Sequence, residues 1–228
     1  MSAFFVTGSG TEIGKTFVTA ALIQALRRQG RPVAALKPVV SGFDPAQAED
    51  SDPGALLAAL GELISPQALD RIAPWRFRAP LSPDMAAARE NLSIDFAKLV
   101  EHSRKAMAAA PGTLLIEGVG GVMVPLDERH TVLDWIATLR VPAILVGGSY
   151  LGAISHALTA LDMLRSHSLT VAALVVNETP QSTVVLDETA ATIARFTDRI
   201  PVITLPRLVH PDQPHPAIEH LTKLLDRF

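Results

Sequence analysis

Apolar and polar positions alternate along the chain between short, almost uninterrupted apolar runs and longer amphipathic stretches. Phe4, Phe5 and Val6 form the first run, and residues 17–26 are helix-compatible throughout, ending in Arg27, Arg28 and Gly30, a cationic last turn with a glycine stop. Residues 32–36 form the next strand. An acidic, loop-like stretch over 43–53 precedes a helix over 54–60. Residues 61–92 read as irregular, because Pro66, Pro74, Pro80 and Pro83 punctuate Trp75, Phe77 and Leu81, and they suggest a lid or substrate loop. Ser93 is the expected N-cap of a helix through Phe96, Val100 and Met107 that Pro111 and Gly112 stop. Beyond it, strands are expected over 113–116, 143–146, 171–176 and 202–205, with helices over 131–139, 153–165 and 183–196. Apolar runs too short for helices, alternating with helical stretches, predict an α/β fold: a doubly wound, mainly parallel sheet with helices on both faces.

The polar residues between these elements carry the chemistry. After the first strand come Thr7-Gly8-Ser9-Gly10-Thr11-Glu12-Ile13-Gly14-Lys15-Thr16, a glycine-rich turn ending in Gly-Lys-Thr and opening a helix. That strand–turn–helix context is the one a phosphate-binding P-loop requires, so the fold is of the P-loop NTPase type. Glycines let backbone N–H groups curl around phosphate oxygens, Lys15 supplies a point charge, and the Thr16 hydroxyl suits Mg²⁺. The spacing is off by one, since the strict pattern wants glycine at Ser9 and this chain has it at Gly8.

Two further strand ends add charge where open parallel sheets bind ligands. One is Lys37-Pro38-Val39-Val40-Ser41-Gly42 and the other Glu117-Gly118-Val119-Gly120-Gly121. Asp44, Glu49, Asp50 and Asp52 offer alternative magnesium carboxylates that spacing alone does not separate. The helix after Leu151-Gly152 has free N–H groups for a substrate carboxylate, and Asn177 ends a strand with paired donor and acceptor groups that suit a purine edge. His210 and His215 sit in a proline-rich turn and receive no site role.

Composition narrows the function classes. The 228 residues are 48% apolar and 19% charged, enough for a large core, and no linker-like shift divides them, so one domain over 1–228 is expected. A net charge of −3 without like-charge runs points to a small-molecule partner rather than nucleic acid or an acidic membrane. The absence of cysteine removes disulfides, thiolate metal sites and cysteine nucleophiles. No basic leader and no apolar run approaching about 18 residues is present, which suggests a cytoplasmic protein.

Together, the loop from Gly8 to Thr16, the Lys37–Gly42 station and the Glu117–Gly121 station resemble dethiobiotin synthetase, a family with the same off-by-one loop. Further echoes are Ala79-Pro80-Leu81-Ser82-Pro83, Val124-Pro125-Leu126, Leu151-Gly152-Ala153-Ile154-Ser155-His156 and Asn177, so the similarity covers nearly the whole chain. The resemblance implies ATP- and Mg²⁺-dependent ring closure of 7,8-diaminopelargonic acid with CO₂ to dethiobiotin, ADP and phosphate. By position it implies catalytic roles for Lys37, Lys15, Thr11 and Ser41, and metal contacts from Thr16, Asp52 and Glu117. Nucleotide contacts are implied from Glu12, Ile13, Gly14, Lys15, Thr16 and Phe17, from Glu117, Gly118, Val119 and Gly120, and from Asn177, Pro206, Arg207 and Leu208. It further implies a homodimer in which Gly152, Ala153, Ile154 and Ser155 of one subunit receive the carboxylate of a substrate bound at Ser41 of the other. Asp84 and Ser155 depart from the family's usual histidine and asparagine.

Two other classes compete. A partner-regulated ATPase switch of the positioning type shares this sheet, but it usually carries another lysine early in the loop, where this chain has Ser9 and Gly10. A glutamine-dependent amide ligase would need a cysteine-bearing glutaminase domain.

Overall fold

Six strands with almost wholly apolar interiors lie side by side in parallel, as expected of strands covered on both faces. They are β1 (Ser2–Gly8), β2 (Val33–Leu36), β5 (Thr113–Glu117), β6 (Ala143–Gly147), β7 (Val171–Asn177) and β8 (Val202–Leu205), in the order β2-β5-β1-β6-β7-β8. Two short strands, β3 (Val39–Ser41) and β4 (Trp75–Phe77), form a separate parallel pair. The computed structural model describes residues 2–180 and 182–228.

Helices surround the sheet. They are α1 (Lys15–Arg28), α2 (Asp52–Leu60), α3 (Pro66–Ile72), α4 (Pro83–Arg89), α5 (Phe96–Ala109), α6 (Val132–Leu139), α7 (Ala153–Ser166), α8 (Leu186–Ala194) and α9 (Pro216–Leu225). Gly30, at φ 69°, ends α1: its N–H bonds the Arg27 carbonyl and Arg31 N–H bonds that of Leu26, the expected glycine stop.

From β1 the chain moves outward to β2, returns through β5, and then runs the other way through β6, β7 and β8. The reversal lies beside β1, and open parallel sheets bind ligands over the strand ends at such a point.

The structure corrects three expectations. Residues 61–92 contain α3, β4 and α4 rather than an irregular stretch. Pro66 and Pro83 sit in first helical turns, where a missing N–H costs nothing, after Ser65 and Ser82. The helix expected from 54 starts at Asp52, because the Ser51 hydroxyl accepts from Gly54 N–H and Pro53 fits the first turn. Asp95, not Ser93, caps α5, its carboxylate accepting from Lys98 N–H at 3.1 Å.

Candidate active site

The turn after β1 is pinned on both sides. Ser9 N–H donates to the Val146 carbonyl at the end of β6, and the Gly8 carbonyl accepts from Val122 N–H in the turn after β5. A Cβ on Gly8 would stand 2.7 Å from Ile13 Cδ1 and 3.0 Å from Lys15 Cδ, so any larger residue at position 8 would push those side chains aside. No such crowding is found at Gly10, where the nearest atom is 4.0 Å away. Gly14 caps α1 at φ 91°, and a Cβ there would strike the Asn177 amide. That amide donates to the Ile13 carbonyl at 3.0 Å. Asn177, at the tip of β7, thus buttresses the loop from behind and leaves its Oδ1 free of that bond.

Lys15 Nζ donates to the Gly10 carbonyl at 2.7 Å. Burial, and then the Lys37 charge nearby, pull its pKa down to about 8 against the opposing pull of Glu117 and Asp52. Lys37, the residue after β2, is 2% exposed; its ammonium donates to Glu117 Oε1 and the Gly118 carbonyl, each at 2.7 Å, and forms an ion pair with Asp52 Oδ2 at 3.0 Å. Burial works against its charge, but the two carboxylates outweigh it and hold the Lys37 pKa above the ordinary value. Burial likewise opposes ionisation of Asp52, and Lys37, Thr16 and Lys15 together bring its carboxyl below the ordinary range.

Thr16 Oγ1 lies 2.8 Å from Asp52 Oδ1 and 2.7 Å from Glu117 Oε1. A hydroxyl has one proton, so it bonds only one of these acceptors at a time, and three oxygens crowd a point that suits a cation. Glu117, fully buried, also keeps Oε2 without a partner. Hard oxygens from two carboxylates and a hydroxyl, next to a phosphate loop, fit Mg²⁺, which takes few protein ligands and completes its shell with phosphate and water. Of the acids near position 50, Asp52 is the one that reaches this cluster.

Except for the buried Glu117, these groups open onto a cavity of about 660 Å³ lined by Thr11, Glu12, Gly14, Lys15, Thr16, Lys37, Ser41, Asp52 and Gly120, with Val40, Pro80, Leu81, Pro83, Val119 and Val124 as an apolar wall. Ser41 Oγ is buried there without a partner. Other expected residues lie outside the lining. Phe17 packs against the core, and Gly152, Ala153, Ile154 and Ser155 form the turn that starts α7, with no side-chain cap. The Pro206-Arg207-Leu208 turn is held by Glu178, whose carboxylate accepts Arg207 N–H at 2.8 Å. Sequence reasoning missed Glu178, although a carboxylate directly after Asn177 was a usable signal. Asp84 lines a second cavity of about 560 Å³ with His130.

A curated ATP-dependent dethiobiotin synthetase of Methylobacterium nodulans is 54% identical over 200 residues, covering 86% of this chain and 89% of that protein. The chain belongs to the dethiobiotin synthetase family. Its members in Acidiphilium cryptum and Caulobacter sp. are 48% and 50% identical, covering 88% and 91% of this chain and 91% and 89% of theirs. A family model described as an AAA domain matches residues 2–214. Among solved structures, the MinD cell division protein of Aquifex aeolicus superposes with a TM-score of 0.59 at 16% identity, covering 100% of this chain and 96% of that one. The Pyrococcus furiosus cell division ATPase MinD does so at 0.57 and 15%, covering 99% and 98%. At those identities the likeness is one of fold, so the dethiobiotin synthetase relatives decide against the ATPase-switch reading. Among the described residues no helix is long and apolar enough to cross a membrane.

Proposed function

We propose that this protein is a cyclo-ligase that joins CO₂ to 7,8-diaminopelargonic acid at the expense of ATP, giving dethiobiotin, ADP and phosphate for biotin synthesis, with 1–228 acting as one domain. One amine takes up CO₂ as a carbamate. A carbamate oxygen then bonds the γ-phosphorus as the bond to the β-phosphate oxygen breaks and ADP leaves. The second amine attacks the carbonyl carbon of this mixed anhydride, phosphate leaves, and the amine proton is lost as the ring closes. Such transfers are accelerated by positioning and charge neutralisation more than by covalent help from the protein.

Loop N–H groups from Glu12 to Phe17 and the Lys15 ammonium hold the phosphates, while Lys37 offsets charge on the γ-phosphate and carbamate. Thr11 and Ser41 hydrogen-bond the carbamate end, and the apolar wall from Val40 to Val124 takes the aliphatic chain. Thr16, Asp52 and Glu117 hold Mg²⁺, which neutralises phosphate charge when bound. Asn177 Oδ1 and the Pro206–Leu208 turn receive adenine, and the Glu117-Gly118-Val119-Gly120 turn borders the nucleotide.

The chain works as a cytoplasmic homodimer in which the partner's α7 turn supplies the carboxylate receptor. The exposure of Leu151 (87%), and the place of Gly152–Ser155 outside the chain's own cavity, support that reading.

The observation that carries the proposal is the convergence of Lys15, Lys37, Thr16 and Asp52 on one cavity beside the orphaned Ser41 hydroxyl, with the buried Glu117 bonded to Lys37 and Thr16 behind them. A coupled ADP assay tests it. ADP is expected only when both diaminopelargonate and a CO₂ source are present; brisk ATP turnover indifferent to the diamine would overturn it.

A further inference from the structure

The Lys37 ammonium is held inside the protein: it donates to Glu117 Oε1 and the Gly118 carbonyl and pairs with Asp52 Oδ2 at 3.0 Å, yet the residue lines the cavity in which its charge is needed. Two of its three partners are also two of the three oxygen-bearing residues suited to Mg²⁺. Two carboxylates, Asp52 and Glu117, face two ammonium groups, Lys15 and Lys37, so the empty site presents no net negative charge to a dication.

We propose that the Lys37 ammonium occupies the metal's carboxylates in the nucleotide-free protein, and that metal arrival exchanges with it, freeing Lys37 to turn on the Gly118 carbonyl toward the substrate. This rests on the reading of Thr16, Asp52 and Glu117 as the metal's oxygens.

Lys37 and the metal share acceptors. A cation bound to Glu117 Oε1 at the roughly 2.1 Å usual for Mg²⁺ would stand close to an ammonium held 2.7 Å from the same oxygen. In a buried site that repulsion is weakly screened, so the two cations exclude each other. The bond to the Gly118 carbonyl involves neither carboxylate and survives as a pivot. Nucleotide phosphates tip the balance, since they add the negative charge that the empty site lacks. The device ties two events together: Lys37 becomes available for a carbamate when metal and nucleotide are in place, and the metal site stays closed without nucleotide.

Mn²⁺ alone, titrated into nucleotide-free protein and followed by its electron paramagnetic resonance signal, tests the exchange without any turnover. Lys37→Gln removes the charge and keeps a donor for Glu117. It is expected to bind Mn²⁺ at least about tenfold more tightly than the unaltered chain, because the competing charge is gone. Adding Glu117→Gln to that variant is expected to abolish the gain. If Lys37→Gln binds Mn²⁺ no better while Glu117→Gln still weakens metal-dependent nucleotide binding, the exchange is wrong and the metal reading stands. If tight Mn²⁺ binding survives Glu117→Gln, the assignment of the metal's oxygens fails and the exchange with it. Should Lys37→Gln not fold, Lys37→Met carries the same comparison, with melting temperature with and without Mn²⁺ as the readout.

Discussion

Asn177 shows how one side chain serves the phosphate loop from 164 positions away. Its amide nitrogen bonds the Ile13 carbonyl just before Gly14, at the point where the chain takes the left-handed turn that starts α1. Asn177→Ala would leave that carbonyl unpaired and the loop less well held. One neutral hydrogen bond is worth about 1 kcal/mol, so with the Oδ1 contact to adenine lost as well KM for ATP should rise at least about fivefold with kcat little changed. Steady-state kinetics decide it, and a fall in kcat at constant KM would mean that Asn177 acts on the reacting atoms. The residue's position at a strand tip is legible from the periodicity of 171–176; its partner is not, because nothing local links 177 to 13.

At the scale of elements, α6 carries part of the site's rigidity without touching the cavity. Thr131 and Asp134 form a reciprocal cap at its start. Its Trp135 is fully buried, meets Phe5 edge-on at 4.7 Å and donates to Ser103 Oγ at 3.1 Å. Phe5 in turn crowds Gly118 so closely that a Cβ there would lie 2.8 Å from its ring. Thr131→Ala should therefore cost about 1 kcal/mol in urea unfolding, the usual loss for a removed N-cap. Partial burial works against the Asp134 charge, but bonds from Thr131 prevail and hold its carboxyl below the ordinary range. The stabilisation Asp134 contributes is thus present above about pH 4 and lost as pH falls through the folded value. Element types were legible because apolar runs and caps are local signals. The stretch from 61 to 92 was misread because proline marks a first helical turn as readily as it marks a loop, and only packing of Leu69, Ile72, Phe77 and Ala86 into the core separates the two.

For the whole molecule, the exposed Leu151 and the α7 turn outside the cavity support the proposed dimer. The protein is expected to sediment as a dimer. Leu151→Asp, placing a charge on the shared face, should give monomers that fail to saturate with diaminopelargonate but still bind an ATP analogue. Full activity from a monomer in sedimentation velocity would rule out a receptor supplied by the partner.

Residue order alone determined that this chain builds a parallel sheet with a phosphate loop after its first strand, since apolar periodicity and glycine spacing are properties of neighbouring residues. It also determined which charged types stand at strand ends. Tertiary structure decided which of them meet. Placing β5 between β2 and β1 brings Glu117 onto Lys37, and packing α2 against α1 chooses Asp52 over Asp50 as the carboxylate beside Thr16. It also showed that the Ile13 and Lys15 side chains fold back over Gly8, where a Cβ would displace them. Charges meet across a sheet through strand order, which no local pattern encodes.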